Sequence, residues 1–117
     1  MDVIVKEEPK TGLRYNEGKR SWSLVDFKAL EPMVEVLEYG RDKYTVKLPD
    51  GKVISGAHNW KKGLNMMEIL ESLSRHLFAM MDGELIDPES GKPHIGHLMC
   101  NAMFWSHFYQ QKIKENE

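Results

Sequence analysis

Apolar side chains recur every three or four residues in three long segments, which is the period of an amphipathic helix. The first segment runs from Pro32 to about Tyr44, the second from Met66 to Asp82, and the third from Pro93 to Lys114. Asn65 is well placed to cap the second helix, and Ser23 predicts the start of a shorter helix that ends near Leu30. The chain therefore reads as mainly helical.

Between the first and second helices the apolar residues recur every second position, which is the period of a β-strand. Two short β-prone runs flank the Asp50-Gly51 pair, which is typical of a hairpin turn. We therefore predict an all-α fold: a helical bundle of three long helices plus a short N-terminal helix, with a small β-hairpin insertion near 45–55. Residues 1–12 predict a flexible N-terminal arm, followed by one domain at 13–117.

The composition of the chain argues against several classes of protein, among them those that bind polymeric nucleic acids and those that span membranes. The chain has 117 residues, of which 41% are hydrophobic and 29% charged, and its net charge is −2. A polymeric nucleic acid as ligand requires a basic face, so this balance argues against one. Cys100 is the single cysteine, which excludes an internal disulfide, and its apolar setting predicts a core thiol. No apolar run has the length of a membrane span, so we expect a cytoplasmic protein without a membrane partner.

Paired carboxylates are the main chemical signal. Glu35 and Glu38 lie one turn apart on the first long helix, and Glu68 and Glu71 repeat that spacing on the second. Four carboxylates gathered around one space repel each other unless a cation lies between them. Mg²⁺, or Mn²⁺, prefers such oxygen ligands. The alternative is that all four are solvated surface glutamates, and the spacing alone leaves it open.

Cations and aromatic residues lie in the loops beside the acidic helices. Lys19, Lys43 and Lys62 are candidates for binding an anionic ligand, although solubility explains such residues equally well. Trp60 and Tyr44 could stack on a nucleobase, with loop packing as the alternative.

Histidines form a second candidate group. His94, His97 and Asn101 make a polar line on the third helix, which predicts contacts to a ligand or to Asp87. A transition-metal site is a weaker alternative, because no third strong ligand follows on that helix. His76 is expected to be a buried, hydrogen-bonded side chain.

Several segments taken together resemble a known family, the phage dATP/dGTP diphosphohydrolase domain, which is similar to MazG and belongs to the all-α NTP pyrophosphatase superfamily. The segments that carry the resemblance are Arg14-Tyr-Asn-Glu-Gly-Lys19, Gly40-Arg-Asp-Lys-Tyr44, Asn59-Trp-Lys-Lys-Gly63, Arg75-His76, Asp87-Pro-Glu-Ser-Gly91, His94 and Asn101. They cover about residues 13–110 in order.

The resemblance implies Mg²⁺-dependent cleavage of a purine deoxynucleoside triphosphate, dGTP or dATP, to the monophosphate and pyrophosphate. It implies a homo-oligomer, a dimer or tetramer, and a role in adjusting the nucleotide pool, as in phage DNA synthesis. The implied catalytic and metal residues are Glu35, Glu38, Glu68 and Glu71, where Glu71 replaces the family's usual Asp. The implied phosphate-binding residues are Lys19, Lys43, Lys62 and Arg75, and those implied for base and sugar are Asn16, Trp60, His94 and Asn101.

Two other functions stay open on the sequence. Because Glu71 stands where the family usually has Asp, the chain could instead be a non-catalytic nucleotide-binding or interaction module on the same bundle. A different metal phosphohydrolase would use His76, His94 and His97.

Overall fold

The computed structural model describes residues 7–8, 10–15 and 17–116, and three α-helices dominate that part of the chain. The helices are α1 (Glu31–Lys43), α2 (Met66–Met81) and α3 (His94–Glu115), and the strands are β1 (Val46–Lys47) and β2 (Val53–Ile54). Short 3₁₀ turns occupy Trp22–Leu24, Phe27–Leu30 and Asn59–Lys62. The all-α class with a small hairpin insertion is confirmed. The predicted arm at 1–12 lies largely outside the described residues.

Local signals explain where the helices begin. The Asn65 side chain accepts a hydrogen bond from the Glu68 backbone N–H at 3.1 Å, as predicted for the cap of α2. The short N-terminal helix is instead two 3₁₀ turns. Asp26, and not Ser23, caps the second turn, because its carboxylate accepts from the backbone N–H groups of Lys28 and Ala29.

The hairpin forms where the sequence predicts it. Val46 pairs with Ile54 and Lys47 with Val53 in antiparallel register. Gly51 adopts a φ of 87°, which side chains other than glycine rarely tolerate. The turn is therefore fixed by backbone chemistry, while both strands stay exposed.

The exit of the hairpin is tied to the end of α1. Thr45 Oγ1 donates to the Arg41 carbonyl at 2.6 Å and accepts from the Gly56 N–H at 3.0 Å. Gly56 is buried so closely against this backbone that a Cβ would meet the Arg41 carbonyl and Tyr44. The segment leading to Trp60 consequently starts next to the cationic end of α1.

α3 is the element on which the other two helices pack. Among the described residues, the buried apolar side chains are Val36, Ile69 and Cys100, one from each helix. α1 crosses α3 at Gly96, where a Cβ would collide with the Pro32 carbonyl oxygen and lie 2.9 Å from Val36 Cγ2. The lack of a side chain at this position therefore sets the distance between the two helices.

Much apolar surface is left uncovered on the outer side of α2. Met67, Phe78 and Met81 are 62%, 60% and 73% exposed and lie on one side of the helix. No helix in the described part of the chain is long and apolar enough to cross a membrane.

The crossing at Gly96 predicts a stability difference between two glycines. Gly96→Ala should lose about 3 kcal/mol of unfolding free energy, because α1 and α3 must separate to admit the methyl group. Gly40→Ala is the control, since a Cβ there meets nothing within 4 Å and alanine favours the helix by about 0.5–1 kcal/mol. Urea unfolding of both variants measures the difference. Equal stability of Gly96→Ala and the unmodified chain would contradict the close crossing.

Candidate functional site

A cleft lined by both polar and apolar side chains opens between α1, the 3₁₀ turn at Asn59–Lys62, α2 and the start of α3. Its volume is about 660 Å³, and Val36 and Cys100 of the core contribute to its lining. Most segments that carry the family resemblance contribute further residues, which are Gly40, Arg41, Lys43, Tyr44, Asn59, Trp60, Arg75, His76, Asp87, Glu89, Ser90 and His94. Tyr39 and His97 line the cleft beside them. Motifs that are far apart in the chain thus meet in one place.

Three histidines form the inner wall of this cleft. The rings of His76 and His97 stack almost parallel, with centroids 4.4 Å apart and an angle of 3°. His76 Nδ1 lies 2.8 Å from His94 Nδ1, and His94 Nε2 lies 2.7 Å from the Glu84 carboxylate. A carboxylate accepts hydrogen bonds, so His94 Nε2 is the donor in that contact. The α2 and α3 histidines therefore form one connected group.

The turn before α3 brings a carboxylate to the histidines. Asp87 Oδ1 accepts from the Glu89 backbone N–H at 3.0 Å, and the Ser90 hydroxyl donates to Asp87 Oδ2 at 3.0 Å. Ser90 Oγ also lies 2.6 Å from His97 Nε2, and Asp87 Oδ2 lies 3.4 Å from the same nitrogen. The predicted contact between His97 and Asp87 is confirmed.

Burial and neighbouring charges shift the protonation of this group. Burial lowers the pKa of His76, and the nearby His97 and His94 lower it further. Burial also lowers the pKa of His97, against the opposing pull of Asp87. Burial alone would raise the pKa of Asp87, but hydrogen bonds from Glu89 and Ser90 and the charge of His97 outweigh it, so this pKa is below its ordinary value. The uncharged forms of His76 and His97 beside the Asp87 carboxylate are therefore favoured at neutral pH.

Cations line the mouth of the cleft. Lys43 Nζ lies 5.8 Å from the ring centre of Tyr39 and 5.6 Å from that of Tyr44, which keeps the ammonium beside two aromatic faces. Arg41 and Arg75 line the same space and are exposed. Phosphate oxygens entering the cleft would meet these three cations.

Trp60 forms an aromatic wall of the cleft. Its ring stacks on Phe104 with centroids 4.7 Å apart, and the His107 ring lies nearly perpendicular to it with centroids 4.9 Å apart. The packing holds the indole in place at the edge of the cleft.

Four of the predicted site residues lie in the cleft, namely Lys43, Trp60, Arg75 and His94. Asn101 instead connects two helices, because its Nδ2 donates to Ser72 Oγ on α2 and to the His97 carbonyl. Lys19 and Lys62 are exposed and do not line it. Asn16 lies outside the described residues.

The four glutamates are exposed and do not line the cleft. On α1, Glu35 and Glu38 lie roughly opposite Gly40 and Lys43, which face the cleft, because successive residues turn by a fixed angle. On α2, Glu71 borders a shallower depression of about 340 Å³ next to Arg75. Across the described ranges, the four do not form a group with ligand atoms close enough to share one metal ion. Within a single chain we therefore derive no step through Mg²⁺ at these carboxylates.

Asp87 and Ser90 line the cleft but are not among the predicted site residues. The signal was present, because Asp-Pro-Glu-Ser-Gly is a turn in which the first side chain folds back on the backbone. Cys100, in contrast, is a core thiol as predicted. Burial raises its pKa to about 12, and Sγ donates to the Met33 carbonyl at 3.3 Å, so it is not a nucleophile.

Fold and cleft together define a small helical domain whose cleft, with its cations and aromatic rings, is suited to an anionic ligand with a flat ring. Residues 9–117 match a family model described as dATP/dGTP diphosphohydrolase, N-terminal. The chain belongs to this family, and the resemblance noted in the sequence is confirmed.

A curated relative extends the comparison. The chain is 30% identical over 94 residues to a dATP/dGTP diphosphohydrolase of Salmonella phage PMBT28. The matched region is 80% of this chain but 28% of that protein, so the chain spans little more than a quarter of its relative's length. No solved structure matches.

The turn that presents Asp87 should matter for stability. Asp87→Ala removes the acceptor of two hydrogen bonds at a largely buried carboxylate, and we expect a loss of about 2 kcal/mol in unfolding free energy. Asp50→Ala is a matched control, because Asp50 accepts from the Lys52 N–H in the same way but is exposed. Its loss should stay below about 1 kcal/mol in the same thermal unfolding measurement. Equal losses would show that burial of the Asp87 turn contributes nothing.

Proposed function

We propose that this domain binds a purine deoxynucleoside triphosphate, dGTP or dATP, in the cleft and hydrolyses it to the monophosphate and pyrophosphate. The observation that carries the proposal is the convergence of Lys43, Arg75 and Trp60 on one cleft beside the histidine–aspartate group. Membership of a family described as dATP/dGTP diphosphohydrolase, N-terminal, supports the substrate class.

The cleft offers separate surfaces for the parts of a nucleotide. Trp60 and Tyr44 present aromatic rings to a purine base, which stacks on such surfaces. Arg41, Lys43 and Arg75 provide charge-assisted hydrogen bonds to phosphate oxygens. Cleavage between the α and β phosphates then requires an activated water and neutralisation of the charge that develops on the leaving pyrophosphate.

Mg²⁺ belongs to this proposal as the expected metal of the reaction. Bound to the triphosphate, it would neutralise phosphate charge in the transition state. The four glutamates remain the sequence-based candidates for holding it. Because these glutamates do not line the cleft of their own chain, they would have to meet the triphosphate bound in the cleft of a second copy. The exposed apolar side of α2, with Met67, Phe78 and Met81, supports self-association. A role in adjusting a cytoplasmic nucleotide pool for phage DNA synthesis completes the proposal.

A second function is favoured by the length of the relative. Because the chain corresponds to 28% of the Salmonella phage protein, the reaction in such longer proteins could use residues beyond this domain. In that case the chain would be a nucleotide-binding module without turnover of its own.

The cations of the cleft provide the first test. Incubation with each deoxynucleoside triphosphate and Mg²⁺ should release pyrophosphate and the monophosphate from dGTP or dATP. Lys43→Ala and Arg75→Ala should each weaken nucleotide binding roughly tenfold to a hundredfold, since each removes a charge-assisted contact. Lys47→Ala is the control, because Lys47 is an exposed lysine of the hairpin that does not line the cleft.

The products distinguish the alternatives. Tight nucleotide binding without turnover would replace the enzyme by the binding module. Release of inorganic phosphate or triphosphate would place the cut at another bond and contradict a pyrophosphohydrolase. Equal binding by Lys43→Ala, Arg75→Ala and the Lys47→Ala control would remove the cleft from the proposal.

The role of the glutamates is tested separately. Glu38→Gln should reduce Mg²⁺-dependent turnover on the order of a hundredfold or more. Loss of a group that only hydrogen-bonds to a metal ligand already lowers activity about tenfold to a hundredfold, and loss of the ligand itself should lower it further. Circular dichroism should stay unchanged, since Glu38 is exposed. Glu115→Gln, near the end of α3, serves as the control. Full activity of Glu38→Gln would remove this carboxylate from the metal site.

A further inference from the structure

A group of side chains other than the four predicted glutamates has the ligand atoms and the spacing of a metal site. Among the described residues, His76, Asp87 and His97 each offer one ligand atom, and these atoms all lie within 4.8 Å of one another. The three residues come from α2, the turn before α3 and α3 itself, so the tertiary fold brings them together. The group forms part of the cleft wall, and the side chains of Asp87 and His97 are 13% and 14% exposed.

We propose that His76, Asp87 and His97 bind one divalent transition-metal ion, of the Zn²⁺ class, in the cleft. Two imidazole nitrogens and one carboxylate oxygen form one of the ligand sets of catalytic zinc sites, and non-haem iron enzymes use the same set. Mg²⁺, by contrast, prefers an all-oxygen set and keeps several waters. The donor chemistry therefore separates this site from the one expected at the four glutamates.

Hydrogen bonding fixes the tautomer that a metal requires at His76. Glu84 can only accept, so His94 Nε2 carries the proton in their 2.7 Å contact. Neutral His94 then presents Nδ1 as an acceptor, and His76 Nδ1 donates to it across 2.8 Å. Neutral His76 consequently has a free lone pair on Nε2. Such a chain from a carboxylate through an imidazole to a ligand is what orients histidines at metal sites.

Ser90 holds the other two ligands. Its Oγ contacts both His97 Nε2, at 2.6 Å, and Asp87 Oδ2, at 3.0 Å, so both ligand atoms stay on the same side of the turn. When a metal takes the lone pair of His97 Nε2, the proton of the neutral imidazole resides on Nδ1. No net proton has to leave a neutral histidine for this change of tautomer.

Three protein ligands leave coordination positions open. In catalytic sites such positions hold water or a substrate oxygen. Lys43 and Arg75 line the same cleft, so a phosphate oxygen is the natural occupant; this part rests on the proposed function, whereas metal binding itself does not.

Metal binding is measured first without any nucleotide. The chain, freed of metals by a chelator and dialysed, should bind one Zn²⁺ per chain in calorimetric titration, and Zn²⁺ should raise the thermal midpoint. Co²⁺ should give the visible absorption of an ion bound by nitrogen and oxygen ligands. His76→Asn and His97→Gln should abolish stoichiometric binding, and Glu84→Gln should weaken it about tenfold to a hundredfold through the tautomer. His58→Gln, at an exposed histidine outside the group, should bind normally.

Two results would overturn the centre: no stoichiometric Zn²⁺ or Co²⁺ binding by the unmodified chain, or unchanged binding by folded His76→Asn and His97→Gln. If those variants do not fold, Asp87→Asn, which keeps the shape of the side chain, takes their place, and unchanged affinity there is equally decisive. The two proposals fail separately. Zn²⁺ binding without nucleotide binding would support the metal centre and contradict the proposed function. Mg²⁺-dependent turnover without Zn²⁺ binding would support the proposed function and contradict the metal centre.

Discussion

The crossing of α1 over the first turns of α3 is the constraint on which the site depends. Gly96 lets the Pro32 carbonyl and Val36 approach the α3 backbone directly. Where these helices touch, the Tyr39 and His97 rings meet nearly at right angles, with centroids 6.4 Å apart, and Lys43 lies at the same cleft as the histidines. A wider crossing would separate Arg41 and Lys43 of α1 from the histidine–aspartate group. The close packing at Gly96 thus determines whether the side chains of α1 and the histidine–aspartate group meet in one cleft.

The elements follow from local signals, and they could largely be predicted. The Asp50-Gly51 turn, the Asn65 cap and the helical periods each depend on residues close in sequence, and the structure contains the elements they predict. The single short helix predicted before α1 is wrong because Asp26 competes with Ser23 as a cap, and its carboxylate accepts hydrogen bonds from two backbone N–H groups. Local competition of this kind cannot be resolved from propensities alone.

The candidate site was only partly predictable, for a geometric reason. Spacing reveals that Glu35 and Glu38 share a face of α1, but it does not reveal whether that face turns inward. Here Gly40 and Lys43 face the cleft, and the glutamates point elsewhere. The sequence separates any two of the residues His76, Asp87 and His97 by at least 10 positions. Their meeting depends on how α2 packs on α3, which no short motif encodes.

The placement of charge on the two sides of α1 has a consequence for how ligands arrive. One side carries Glu31, Glu35, Glu38 and Asp42, while the other carries the cations at the cleft. The helix therefore divides the surface electrically, even though the net charge is only −2. A polyanion diffusing in solution is repelled from one side and drawn to the other, so long-range forces would orient it before contact. Capture of such a polyanion should slow as ionic strength rises, since the field is screened beyond about 10 Å in 0.1 M salt.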